Sequence, residues 1–414
     1  MQFQNRRSSF MTRLPAEDVL LADYREPGAL HVFAPVTNGD KLNFYGLAVA
    51  PEIRWIRNAT NQLVNLYQEY VPGSARATGL LLELAEEART LIKELLLDPA
   101  EAGGCRIEFV GGTSRAVEVA LARTGQPRRI IISPFEHPSV IEVAKWFVSI
   151  SGAELWQLHC APQHFFRCWQ EQEDDLISQI AEAVADTKTA ALVLSEVNYA
   201  TGAVIPVERI IDRIYQFTSP LALKIILDGA HAAGNNQNPR GIAKCASYVF
   251  SAHKWLLAPE PCGVIVSYNP PPDQLVPYDA WNSTLPATTV NVHMLAGLVS
   301  SLRFLKKLGM EKLWEHSRRL RRRFVDRIQA LFTVVGEDSG VDITLLLAIC
   351  PSPGRRWKFS ATELSAYLQS NSVHALVMNI DPQSPWLRVA FPCFIDFEHV
   401  DILCDVLEKT IRDD

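Results

Sequence analysis

No apolar run in this 414-residue chain is long enough to cross a bilayer; the longest are strand-sized, so no membrane span is expected. The start, MQFQNRRSSFMTRLPAEDVLL, is basic but has no apolar core behind it. A secretion signal is therefore not expected, and a cytoplasmic location is. Basic charge is also short: 40 Lys and Arg against 46 Asp and Glu give a net charge of −6 and a pI near 6.0. That balance excludes a general attraction to phosphate backbones, so no nucleic-acid partner is expected. The run RRLRRRF at 318–324 is the exception, and its helical spacing reads as a solvated helix face. The eight cysteines (105, 160, 168, 245, 262, 350, 393 and 404) form no CxxC pair. Neither a disulfide framework nor a metal site is indicated. Internal repeats and low-complexity tracts are missing as well.

A chain of this length exceeds the roughly 250–300 residues that one core sustains, so two domains are expected. Apolar content of 48% with 21% charged residues is ordinary for a globular protein. Apolar strands alternate with amphipathic helices, the pattern of an α/β fold with a mainly parallel sheet. Strands are expected at 106–110, 130–133, 190–194, 225–227 and 248–250, with 263–267 running back antiparallel. Helices are expected at 80–97 and 115–123. A connecting helix at 289–308 should lead to a smaller α+β part with strands at 342–349 and 386–390 and a final helix at 399–411. The expected division is an N-terminal segment, 1–40, packing with the small domain; a large domain, 41–285; and a connecting helix with the small domain, 286–414.

The most informative stretch is 224–266, KIILDGAHAAGNNQNPRGIAKCASYVFSAHKWLLAPEPCGVIV. One apolar run delivers Asp228 at its end, with His231 three residues later; the next delivers Ser251, His253 and Lys254. An acid and a lysine at the ends of two core strands suit a pyridoxal phosphate site. There the amine forms a Schiff base with the aldehyde, and the carboxylate keeps the pyridine nitrogen protonated. Gly111-Gly112-Thr113-Ser114, between a strand and a helix, offers the backbone donors and hydroxyls that a phosphate dianion needs. Nearly all these polar groups fall just past strand ends, where open α/β sheets bind ligands.

The order G-x-T, E-H, V-N-x-x-T-G, D-x-x-H and S-x-H-K resembles the class V, cysteine desulfurase-like branch of the fold-type I pyridoxal phosphate enzymes. In motif form it is closest to the C–S lyase and isopenicillin N epimerase-like members. The resemblance covers roughly residues 40–410. It implies a large domain with a mainly parallel, seven-stranded type of sheet between helices, and a smaller C-terminal α+β domain. The implied cofactor is pyridoxal 5'-phosphate and the implied substrate an amino acid, a small molecule.

Residue by residue, the resemblance places Gly112, Thr113, Ser251 and His253 on the phosphate. His137 would stack on the ring and serve in proton transfer, with His231 near the phenolic oxygen. Asn198 would reach the ring oxygen or the substrate, with Tyr199 and Thr201 on the substrate side. Lys254 and Asp228 carry the chemistry, and Arg388, in PWLRVAF, grips the substrate carboxylate as a two-point fork. Trp281–Thr284 resembles the segment by which a neighbouring subunit completes the phosphate site. Thr284 would then come from the partner of a homodimer with a shared active site. Two departures stand out: Ser283 replaces a glycine, and FPCFIDFEHVD replaces the usual tail after Arg388.

The family includes desulfurases, C–S lyases, kynureninases, epimerases and transaminases. Desulfurases need a nucleophilic cysteine ahead of the carboxylate arginine, and residues 351–387 contain none. Cys350 and Cys393 lack the expected surroundings, so desulfurization is disfavoured. The expected reaction is β-elimination of C–S lyase type, with transamination next and epimerisation, kynureninase-like or decarboxylative chemistry behind. A non-catalytic relative should have lost Lys254 or Asp228; both are present.

Overall fold

The computed structural model describes residues 42–44, 53–134, 136–159, 169–235, 241–268, 291–335, 344–381 and 384–413. The expectations for 1–40, for the break near 285 and for Trp281–Thr284 lie outside the described residues. In chain order the first elements are β1 (Leu42–Asn43), α1 (Arg54–Gln68), α2 (Ala75–Leu96), β2 (Arg106–Val110), α3 (Thr113–Ala122), β3 (Arg129–Ile132), α4 (Pro138–Ser151) and β4 (Glu154–Gln157). There follow α5 (Trp169–Ala185), β5 (Ala190–Ser195), α6 (Val207–Ile214), β6 (Leu223–Asp228), β7 (Ser247–Ser251) and β8 (Gly263–Ser267).

Strands β2 to β8 form one seven-stranded sheet in the order β2-β8-β7-β6-β5-β3-β4. All neighbours are parallel except those of β8, which runs antiparallel to both β2 and β7, as its sequence position implied. Strands β3 and β5 to β8 are buried on both faces, which explains their continuous apolar runs, while the edge strands β2 and β4 are more open. Alternation assigns each side chain to a face. Ile130, Ile132, Val193, Ile226, Val249 and Ile265 meet Ala116, Val117 and Ala120 of α3 on one side. Ile131, Leu192, Leu194, Ile225, Leu227 and Phe250 join the larger core on the other, with α2 and α6.

The chain continues through α7 (Val292–Leu308), α8 (Met310–Ile328), β9 (Phe332–Val335), β10 (Leu346–Pro351), β11 (Arg355–Trp357), α9 (Ala361–Ser370), β12 (Val373–His374), β13 (Leu376–Asp381), β14 (Ser384–Ala390), α10 (Phe397–Glu408) and β15 (Ile411–Asp413). Its main sheet, β13-β14-β10-β9, is antiparallel throughout. Leu345, Leu347, Leu387, Val389 and Phe391 belong to the same apolar cluster as the inner face of the large sheet.

Element ends moved where caps, not apolar periodicity, decide them. Helix α2 starts at Ala75 rather than 80, because the Ser74 hydroxyl accepts from the Ala77 N–H. Helix α10 starts at Phe397 on an Asp396 capping box and stops at Glu408; Ile411 instead pairs with Trp357 in a short ladder. The arginine run meets its expectation only in part. Arg321 is buried, Arg319 lies over the Phe397 ring, and Arg323 and Arg327 pair with Asp401. Part of this face thus docks α8 on α10, while Arg319, Arg322 and Arg323 stay exposed.

Candidate active site

The C-terminal ends of β3, β5, β6 and β7, the start of α3 and one residue of β14 enclose a cleft of about 330 Å³. Gly112, Thr113, His137, Tyr199, Asp228, His231, Ser251, His253, Lys254 and Arg388 all line it. The positions were scattered over 277 residues of sequence and are brought together here by parallel strands ending on one edge.

At the centre, Lys254 Nζ lies 3.2 Å from His231 Nε2. Burial pushes the Lys254 amine down to about 8; Asp228 pulls the other way and Arg388 adds to the fall. His231 is held well below its ordinary value by burial first, then by Lys254, Arg388 and His137. The imidazole is therefore neutral, and the lysine donates to it. Asp228 ends β6, in register with Ser195 of β5. Burial raises its carboxyl, while the Ala230 N–H, donating at 2.7 Å, and Lys254 both favour the charged form.

A second group of donors lies at the start of α3. Gly112 precedes the helix with φ 111°, a conformation open chiefly to glycine, and Thr113 is its first residue. The Thr113 N–H donates to Ser251 Oγ at 3.1 Å, and the two hydroxyls are 2.6 Å apart. Strand β8 passes so close that a Cβ on Gly263 would lie 2.5 Å from the Gly112 nitrogen. The His253 ring sits beside Gly112, with its Nδ1 3.0 Å from the Cys262 carbonyl oxygen and 3.1 Å from the Cys262 nitrogen. Helix-start N–H groups, two hydroxyls and an imidazole ring form a polar set that fits a phosphate ester.

On the opposite wall, His137 caps α4. Its Nδ1 accepts from the Ser139 N–H at 3.2 Å, ahead of Pro138 at the first helical position. Burial, then Lys254 and Arg388, lower the ring to about 4, so it too is neutral. The Tyr199 ring meets it edge-on at 5.0 Å. Arg388 reaches in from β14, only 4% exposed, and its Nη1 donates to the Tyr199 carbonyl at 2.7 Å.

Asn198 stands apart from the rest. Its Oδ1 accepts from the Ala200 and Thr201 N–H groups at 2.8 and 3.1 Å, making a turn, and it is not among the residues lining the cleft. Thr201 is likewise turned to backbone, its hydroxyl accepting from Ala203. Thr284 lies outside the described residues. Ser195 and Ser139 also line the cleft and had no role in the sequence analysis, whereas Ser114 belongs to the phosphate turn named there. The strand-end rule that found Asp228 would also have found Ser195. It also gave no role to Glu136, or to Glu196 beyond it. Both are buried beside Asp228, and burial raises each to about 8.

The sequence model of the family described as Aminotransferase class-V matches residues 50–339. A cysteine desulfurase of Klebsiella pneumoniae is 24% identical over 282 residues, covering 62% of this chain and 64% of that protein. A probable cysteine desulfurase of Halalkalibacterium halodurans is 24% identical, covering 73% of this chain and 77% of that one. The chain thus spans less than two thirds of the Klebsiella relative it matches. Among solved structures, the cysteine desulfurase CsdA of Escherichia coli superposes with a TM-score of 0.68 at 18% identity, covering 94% of this chain and 97% of that one. The cystine C–S lyase C-DES, in complex with its product cysteine persulfide, gives 0.71 at 14% identity, covering 90% and 98%. At these identities the structural likeness speaks for the fold alone.

Proposed function

The chain belongs to the class-V aminotransferase family of pyridoxal-phosphate-dependent enzymes, and on that premise we propose that it catalyses β-elimination on a sulfur-containing amino acid, releasing a keto acid and ammonia. When bound, pyridoxal phosphate supplies an aldehyde that holds the substrate amine and a ring that takes up the electron pair left at Cα.

The chain's own residues do the rest. Lys254, with its amine at about 8, is matched to taking and returning a proton near neutral pH. Among the described residues lining the cleft, Asp228 offers a buried carboxylate suited to a protonated ring nitrogen. Thr113, Ser251, His253 and the start of α3 hold the phosphate, and His137 packs on the ring. Arg388 grips the substrate carboxylate, with its guanidinium already braced on the Tyr199 carbonyl. The working enzyme is a homodimer in the cytoplasm, with Thr284 of the neighbouring copy completing the phosphate site.

One observation carries the choice of reaction: no cysteine is among the described residues lining the cleft. Cys350 is half-buried on β10 near the Thr333 carbonyl, and burial pushes the Cys393 thiol up to about 12. A thiol so raised is a poor acceptor for sulfur, since the thiolate is the nucleophile. Elimination needs only a base and an electron sink. The curated relatives favour desulfurization as the second reading, in which a cysteine is delivered from elsewhere. Incubation with cysteine, cystine and cysteine S-conjugates decides between them. Keto acid and ammonia in equal amounts support elimination; alanine as product supports desulfurization.

A further inference from the structure

We propose that Glu136 is a positioning residue, a clamp from the loop after β3 to the end of β5 that fixes His137 relative to Asp228. This rests on the reading of the cleft as a pyridoxal phosphate site and deepens it.

The geometry is a short chain of bonds. Glu136, only 2% exposed, directly precedes His137. Its Oε1 accepts the Ser195 N–H at 2.6 Å, and its Oε2 lies 2.7 Å from the Ser195 hydroxyl. Ser195 in turn is in register with Asp228 on the adjoining parallel strand, and the next residue's N–H, Glu196, donates to the Asp228 carbonyl at 2.9 Å. The wall that would stack on a pyridine ring and the acid that would meet its nitrogen are thereby tied through one side chain. A carboxyl gripping a single residue at two points fixes direction as well as distance. A ring held between His137 and Asp228 depends on that separation more than on either residue alone.

The chemistry of the clamp sets its test. Burial raises Glu136 to about 8, Asp228 adds to the rise, and the Ser195 and Ser133 contacts oppose it. At pH 7 the group is a neutral acid. A neutral amide of the same shape can replace it: the Gln carbonyl accepts the Ser195 N–H, and its amide donates to the Ser195 hydroxyl. Alanine removes both bonds to Ser195 and the Ser133 contact as well.

The experiment loads the parent, Glu136→Gln, Glu136→Ala and Ser195→Ala with pyridoxal phosphate. It measures the visible circular dichroism of the bound cofactor per unit absorbance, which reports ring orientation, together with cofactor affinity and the thermal midpoint of each unloaded chain. Glu136→Ala should lower the dichroism at least about twofold and weaken affinity about tenfold, as expected for losing buried hydrogen bonds. Glu136→Gln should hold both near the parent. If Glu136→Ala does not fold, Ser195→Ala carries the test and should lower the dichroism by a smaller step. Parent-like dichroism in the folded alanine variant, or damage in Glu136→Gln equal to that of alanine, overturns the proposal. A parent chain that takes up no cofactor fails the underlying reading instead, and the two failures cannot be confused.

Discussion

Lys254 Nζ and His231 Nε2 stand 3.2 Å apart, and the proton between them belongs to the lysine. Burial lowers both groups, but it leaves Lys254 near 8 and His231 well below its ordinary range. The imidazole therefore acts as an acceptor that aims the amine into the cleft. That pairing fixes where the amine stands in the cleft, and the first prediction concerns it.

Lys254→Ala should abolish turnover, by at least about a hundredfold for the lost general base. It should also remove the yellow absorbance of the lysine-linked cofactor in the absence of any added amine. Absorption spectra of the two loaded chains check this. A persistent band in the variant contradicts the assignment.

Asp228→Asn keeps the shape of the side chain and removes its charge. Proton removal from the substrate should slow by about a hundredfold or more, because a charge aimed at the reacting system is lost. Fold and cofactor uptake should survive, as far-ultraviolet dichroism and absorbance would show. Turnover near that of the parent would contradict the role.

How much of this was legible in the sequence depends on distance along the chain. Asp228, His231, Ser251, His253 and Lys254 lie within one stretch of 27 residues, and their spacing past two apolar runs exposed them directly. Arg388 was reached through the motif around it. The clamp between Glu136 and Ser195 spans 59 residues, and nothing local in either segment signals the other. Its existence depends on β3 and β5 being neighbours, which is a property of strand order rather than of either strand. For Asn198 the sequence shows the turn but not the orientation: its oxygen holds the Ala200 and Thr201 N–H groups, which leaves the amide N–H as the end that could donate.

Glu196 yields a prediction on stability. Burial raises its carboxyl to about 8 from an ordinary 4.5; Tyr248 opposes the rise and Asp228 adds to it. Glu196 Oε2 and the Tyr248 hydroxyl have no hydrogen-bond partner among the described residues, so the tyrosine contact is electrostatic rather than a formed bond. Cys245 faces the same carboxyl. A folded value above the unfolded one means that the contribution is full below about 4.5 and is lost as pH rises to about 8. Within that window the group should cost about 1.4 kcal/mol per pH unit, and Glu196→Gln should remove this slope. Denaturation midpoints at several pH values measure it; equal slopes in parent and variant contradict the account.

The shared site predicts a specific mixing result. Chains carrying Lys254→Ala, combined with chains carrying Thr284→Ala, should form heterodimers in which one site holds both defects and the other neither. Activity should rise on mixing, toward about a quarter of the parent value for random pairing of equal chains. Activity that simply averages the two pure variants contradicts a shared site.

The reaction class is tested most directly by the products formed from L-cysteine. The account predicts pyruvate, ammonia and sulfide in equal amounts, with no persulfide accumulating on the enzyme, because a base and an electron sink suffice for elimination. Alanine as the product, with a persulfide on a cysteine of the chain that chases into a sulfur acceptor, would contradict it.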